Sequence, residues 1–205
     1  MLAVIIGRRR QGKSTLGLAL AKNAGKTTVV FDPNDQYGHL EVIEDLEAWM
    51  SEAGPESAGR IVATDPVADF EAIVAELDGG VWKWGEYTLI VDECSMLMSP
   101  SYLHPGMERY ARTSPKDVDV ILTTHRIVDV NTLYRSLATD WFVFQQYLDL
   151  DVSYLRDQFG PQFAEESKNL GAYVVNQHWL AVGGAPMSEI WSDPQEWYID
   201  IGRRT

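Results

Sequence analysis

The stretch Gly7-Arg8-Arg9-Arg10-Gln11-Gly12-Lys13-Ser14 constrains this chain more than any other, because it fits G-x-x-x-x-G-K-[ST] between two elements that give the pattern meaning. Leu2 to Ile6 is a short apolar run that reads as a buried strand. Ser14 to Asn23 carries Leu16, Leu18, Ala19 and Leu20 before Gly25, and reads as a helix with its stop. A strand, a glycine-bearing turn and a helix in that order wrap backbone N–H groups around an anion at the positive end of the helix. Lys13 then adds charge toward the β- and γ-phosphates of a nucleotide, and Ser14 offers a hydroxyl to Mg²⁺. Gly7, Arg10, Gln11, Gly12 and Thr15 complete the expected phosphate cradle. Arg8, Arg9 and Arg10 are an unusual filling for the variable positions; phosphate, a neighbouring subunit and water are all available to them, and three adjacent side chains on a tight loop cannot all face one nucleotide.

The α/β alternation continues along the chain. Thr27–Phe31, Arg60–Thr64, Tyr87–Val91, Val118–Thr123 and Trp141–Phe144 are β-branched or apolar runs of strand length. Between them, Glu41–Met50, the stretch opened by Asp65-Pro66, and Tyr102–Arg112 read as helices, the second with Phe70, Ile73, Val74 and Leu77 on one stripe and a stop at Gly79-Gly80. Helical material from Leu155 to Phe163 is interrupted at Gly160-Pro161, and two closing runs, Ala172–Val175 and Trp179–Val182, suggest an antiparallel hairpin. The expected fold is α/β, with a mostly parallel central sheet flanked by helices and that hairpin at its edge. Ser51–Gly59 is a loop rather than a boundary, so residues 1–205 form one domain, with a core over 1–145 and an extension over 146–205.

A Mg²⁺-dependent nucleotide hydrolase needs a carboxylate at the end of a strand beside the phosphate-loop strand, and Leu89-Ile90-Val91-Asp92-Glu93 supplies one. Asp92 is the expected metal-side residue, and Glu93 the group that orients and deprotonates the attacking water. Val120-Ile121-Leu122 also ends in polar groups, Thr123-Thr124-His125-Arg126, where ligands of parallel sheets collect. His125 can reach a γ-phosphate or the water; Arg126 can stabilise phosphate or hold the strand tip through a carboxylate.

Charge is distributed unevenly. Residues 1–31 hold six basic and no acidic groups, residues 32–93 hold two against 16, and the net charge is −13. This excludes a uniformly basic nucleic-acid binder, so any DNA contact is local. Cys94 is the only cysteine, which leaves no internal disulfide and no multi-cysteine zinc site and fits a reducing compartment. The apolar runs are far shorter than the roughly 20 residues of a membrane helix, and no targeting segment is visible. Trp82 and Trp84 are expected to pack internally.

In this order, the phosphate loop, Asp92-Glu93 and Thr123-Thr124-His125-Arg126 resemble the HerA/FtsK superfamily of hexameric translocases. The similarity extends to Asp32-Pro33-Asn34-Asp35-Gln36-Tyr37 after the second strand and to Glu108–Pro115 before the fifth. It covers most of residues 1–145, and the closing helices and hairpin look most like the genome-packaging ATPases of tailless icosahedral viruses with an internal membrane. The resemblance implies a RecA-like (ASCE) core, ATP and Mg²⁺ as cofactors, a hexameric or other ring of subunits, and double-stranded DNA moved through the pore into a preformed capsid. It also implies contact with capsid-vertex or membrane proteins, and residence in the host cytoplasm or at the packaging vertex of the virion. Arg112 matches the position of the family's trans-acting arginine, with Arg109 one turn away. The implied catalytic set is therefore Lys13, Glu93, His125 and Arg112. His125 stands where the family commonly has Gln, and Gln36 where HerA-like proteins have Glu. Two other classes remain: a P-loop assembly scaffold similar to Zot-like proteins, opposed by the lack of a membrane-length run, and a small-molecule kinase, opposed by Glu93 beside Asp92, which favours water as acceptor.

Overall fold

The structure is a computed structural model that describes residues 1–78, 84–113, 117–171, 173–180 and 186–192. In chain order the elements are β1 (Leu2–Ile6), α1 (Lys13–Ala24), β2 (Thr27–Asp32), β3 (Glu41–Val42), α2 (Leu46–Glu52), β4 (Ala58–Val62), α3 (Pro66–Asp78) and β5 (Tyr87–Val91). There follow β6 (Met98–Ser99), β7 (Tyr102–Leu103), α4 (Pro105–Thr113), β8 (Val118–Thr124), α5 (Thr132–Leu137), β9 (Asp140–Phe144), α6 (Asp149–Phe159), α7 (Pro161–Lys168), β10 (Val175–Leu180) and β11 (Pro186–Trp191).

Nine strands form one sheet in the order β11-β10-β9-β1-β8-β5-β2-β4-β3, and β6 and β7 pair in a small hairpin of their own. Every pairing from β9 to β3 is parallel, while β10 joins β9 and β11 antiparallel. Strands β5 and β8 are buried along their whole length, as strands covered on both faces must be. The period-two alternation assigns each side chain to a layer. Ile5, Val30, Ile90 and Ile121 meet Leu16, Ala19 and Leu20 of α1 on one face. Val4, Phe31, Leu89 and Leu122 meet a larger core on the other, built from Phe70 and Ile73 of α3, Met107 and Tyr110 of α4, Leu155 of α6 and Phe163 of α7. Full burial of each such side chain contributes roughly 1.5–3 kcal/mol, so the sheet is the rigid element on which the strand-end loops stand.

Several expected boundaries move. The stretch Glu41–Met50 is not one helix: Glu41–Val42 pairs in register with Gly59–Arg60 as the edge strand, and α2 begins after Asp45, whose carboxylate accepts from the Ala48 N–H at 2.9 Å. The third predicted strand lies two residues earlier, at Ala58–Val62. Helix α4 starts at Pro105 rather than Tyr102, because Tyr102 and Leu103 pair back onto Met98 and Ser99. The closing hairpin exists at the sheet edge, but its arms are β10 and β11; the run beginning at Trp179 belongs to the end of β10, with Trp179 opposite Met187 of β11. Trp84 packs against the larger core, whereas Gly79, Gly80 and Trp82 lie outside the described residues.

Candidate active site

The C-terminal ends of β1, β5 and β8 adjoin in the sheet, and the loops that leave them make the site. The phosphate loop follows β1. Gly7 N donates to Thr124 O at 3.1 Å, and a Cβ on Gly7 would lie 2.8 Å from Phe144 Cβ and 2.9 Å from Gln11 Oε1, so only glycine fits there. Gln11 braces the loop from inside by accepting from the Arg8 N–H at 2.6 Å. Gly12 caps α1 with φ 100°, a left-handed conformation natural to glycine, and Arg10 also has a positive φ of 64°. Gly7 and Gln11 thus shape the loop, while Arg10, Gly12, Lys13, Ser14 and Thr15 face a cleft of about 560 Å³.

Asp92, Glu93 and His125 line the same cleft. The Lys13 side chain is buried, with Nζ 3.2 Å from Arg8 O and 3.2 Å from His125 Nδ1. Burial lowers its pKa, opposed by Glu93 and Asp92. Asp92 is buried at the end of β5, where Oδ1 accepts from Thr123 Oγ1 at 2.6 Å and lies 3.4 Å from the Tyr37 hydroxyl. Burial pushes its carboxyl above the usual range, opposed by the Thr123 hydroxyl. Thr123 Oγ1 in turn accepts from the Glu93 N–H at 3.2 Å, so one hydroxyl fixes both acidic residues. Glu93 sits in the left-handed region with φ 48°, its carboxylate held by Ser95 Oγ at 2.8 Å and His125 Nε2 at 3.0 Å. A strained non-glycine residue held this way is a usual feature of a working site.

Sequence reasoning missed the buttress beneath Asp92. Asp32, fully buried at the end of β2, accepts from the Gln36 and Tyr37 N–H groups at 2.8 and 2.9 Å and from Arg60 Nη1 at 3.0 Å. Arg60 also pairs with Asp35. This turn drives Tyr37 under Asp92 and presents Asn34 and Gln36 to the cleft. Burial raises the Tyr37 pKa far above its ordinary value, so the hydroxyl remains a donor. Tyr173, from the connection between α7 and β10, lines the cleft without any sequence signal. Arg126 is not among the residues lining this cleft: its Nε donates to the buried Asp151 carboxylate at 3.0 Å, the strand-tip alternative. Arg112 is exposed at the last turn of α4 and pairs with Glu108 at 2.9 Å. It lies before the start of β8 while the cleft lies past its end, so it is not among the residues lining the cleft of its own chain.

Mg²⁺ fits this donor set. Ser14 and Asp92 supply hard oxygens on one wall, which suits an ion that takes few protein ligands and completes its shell with phosphate and water. Among the described residues there is no group of three or more His, Cys, Asp and Glu that could hold a metal ion.

No protein-family model and no curated protein matches the chain. Solved structures do. The DNA-packaging ATPase B204 from Sulfolobus turreted icosahedral virus superposes with a TM-score of 0.76 at 19% identity, over 92% of this chain and 95% of that one. B204 from Sulfolobus turreted icosahedral virus 2, a genome-packaging NTPase in complex with AMPPCP, gives 0.75 at 16% identity over 92% and 96%. This chain shares their fold. The N-terminal domain of zonular occludens toxin from Neisseria meningitidis gives 0.51 at 12% identity over 96% of each chain. The α/β architecture with its parallel sheet and edge hairpin is thus that of known P-loop ATPases.

Proposed function

We propose that the chain is an ATP-hydrolysing motor that moves double-stranded viral DNA into a preformed capsid. The observation that carries this reading is the convergence of Lys13, Ser14, Asp92, Glu93 and His125 on one cleft at the strand ends. The likeness to packaging ATPases along nearly the whole chain supports it.

In this reading the backbone N–H groups from Arg10 to Thr15 hold the phosphates and Lys13 neutralises charge on the β and γ groups. Ser14 and Asp92 would hold Mg²⁺, which when bound would supply electrostatic stabilisation to the phosphoryl group. Glu93 Oε2 accepts the proton of the attacking water, and His125 orients that carboxylate. Asp92 is kept in place by Thr123 and Tyr37. Subunits assemble in a ring, each lending a few basic groups to the pore, so a chain of net charge −13 still grips a polyanion locally. Arg112 completes a neighbour's site across the ring. The motor works in the host cytoplasm or at the packaging vertex, against capsid or membrane proteins; no helix of the described residues is long and apolar enough to cross a membrane.

The test is steady-state ATP hydrolysis with Mg²⁺, with and without long double-stranded DNA, for the wild type and Glu93→Gln at several protein concentrations. Stimulation by DNA with a steep concentration dependence is expected. Hydrolysis indifferent to DNA in every assembly state would favour a scaffold similar to the zonular occludens toxin domain.

A further inference from the structure

A second cavity, of about 500 Å³, opens between the phosphate loop, the tip of β8 and the β9–α6 connection. It meets the nucleotide cleft at Arg9 and His125, which line both. Its own walls bring in Arg8, Arg126, Gln146 and Asp151, so three arginines and a single acidic residue line it. The Arg8 guanidinium stacks 4.5 Å from the ring centroid of Tyr147, and Arg126 is held by Asp151 Oδ2, which fixes two of the three cations.

Two polar groups on this wall are unpaired. Gln146 is 3% exposed, its backbone N–H is tied to Ser167 O at 3.1 Å, and its Nε2 has no partner among the described residues. Asp151 is 0% exposed and its Oδ1 has none either. A buried donor and a buried acceptor left unmade are destabilising, and a ligand offering both functions would relieve that. A ligand that suits both the arginines and these two groups is an anion that accepts from an amide N–H and also donates a proton to a carboxylate. Orthophosphate near neutral pH has this chemistry because at least one of its oxygens carries hydrogen. Sulfate has the charge and shape but no proton to give.

We infer that this cavity is a subsite for protonated orthophosphate, read by the Gln146 amide and the free Asp151 oxygen and reached from the nucleotide cleft past Arg9 and His125. The inference rests on the proposed hydrolysis for the source of the ligand: the γ-phosphoryl group leaves as hydrogen phosphate beside Lys13, and the arginines draw it away from Asp92 and Glu93 while ADP still fills the phosphate loop.

The test is equilibrium titration of the ADP-loaded full chain with inorganic phosphate and, separately, with sulfate. The wild type should prefer phosphate about tenfold, the ratio expected of one hydrogen bond worth 1.4 kcal/mol. Gln146→Leu should weaken phosphate by a similar factor. Asp151→Asn should abolish the preference, since an amide can donate to sulfate while its oxygen still accepts from Arg126. Equal binding of the two anions by the wild type, or phosphate affinity unchanged in the variants, overturns the subsite and leaves phosphate only at the γ position. Should Asp151→Asn fail to fold, Gln146→Leu and the exposed Arg8→Gln carry the same comparison. A chain that binds no ADP and hydrolyses no ATP sinks the motor reading; the phosphate-to-sulfate ratio of the nucleotide-free chain and its variants then decides the subsite separately.

Discussion

His125 Nε2 lies 3.0 Å from Glu93 Oε2, while its Nδ1 lies 3.1 Å from Gly7 O and 3.2 Å from Lys13 Nζ. The carboxylate accepts, so Nε2 carries the hydrogen. Nδ1 then has two exclusive partners. A neutral ring accepts from the Lys13 ammonium, whereas a protonated ring donates to the Gly7 carbonyl and repels Lys13. His125 therefore couples the Glu93 carboxylate, the water-activating group of the proposed mechanism, to Lys13, its γ-phosphate-side lysine. Glu93→Gln is expected to lower turnover by about 100-fold or more, the scale of a lost general base, with ATP affinity little changed. His125→Ala frees Glu93 without removing it and should cost less, about tenfold. Chemical-quench rates beside a fluorescent-nucleotide titration separate the two effects; equal losses from both substitutions would contradict the assignment.

Gly7 has no room for a side chain, with Phe144 Cβ 2.8 Å and Gln11 Oε1 2.9 Å from where a Cβ would stand. Phe144 is fully buried at the end of β9 and cannot yield, so Gly7→Ala must push the loop outward or break the Gln11 brace. The expected outcome is a loss of about 1–3 kcal/mol in urea unfolding, together with weaker nucleotide binding. Gln11→Ala in the same background removes one of the two clashes and should recover part of the stability.

The parts of this protein that were legible in its sequence are those where chemistry is local. The pattern from Gly7 to Ser14 carries its own turn, charge and helix start, and Asp92-Glu93 announces itself at the end of an apolar run. Asp151 did not, because its importance comes from Arg126, 25 residues away, and from a cavity that exists only after α6 packs beside the tip of β8. Tyr37 was visible within Asp32–Tyr37 as a resemblance, but its place beneath Asp92 depends on Arg60 locking the turn. Short elements suffered most: Glu41–Val42 is a strand because β4 offers it an edge, which no two-residue window can signal.

Asp140 opens β9 and is half-buried, accepting from Thr139 Oγ1 at 2.9 Å and Gln177 Nε2 at 3.3 Å. Burial raises its pKa above the ordinary carboxylate value, the Thr139 and Gln177 hydrogen bonds opposing. Between the unfolded and folded values the native state binds more protons than the unfolded chain. The associated stability is fully present below the unfolded value and is lost as pH rises through the folded one. At neutral pH the wild type therefore carries the cost of a partly desolvated charge. Asp140→Asn retains an acceptor for Thr139 or Gln177 and has no charge to bury. It should be more stable than the wild type near pH 7, and its advantage should shrink as pH falls toward 4. A difference in urea midpoint that stays constant across that range would contradict the account.

Arg112 and Lys13 occupy opposite ends of the sheet, one on the last turn of α4 before β8, the other inside the cleft beyond it. If Arg112 serves the site of a neighbour, each substitution disables a different partner. Arg112→Ala alone should lose about 1,000-fold in turnover while binding ATP normally, because its own cleft is intact. Lys13→Ala alone should bind ATP poorly. In a mixture, an intact cleft on an Arg112→Ala subunit can meet an intact arginine on a Lys13→Ala subunit, so activity reappears although neither parent is active. The i,i+4 pair with Glu108 is exposed and worth only a few tenths of a kcal/mol, so Arg112 is free to change partners at that cost. Turnover measured across mixing ratios should peak between the two pure variants. A flat line at the level of the parents would leave Arg112 as a surface residue and move the search for the trans-acting group to other exposed cations.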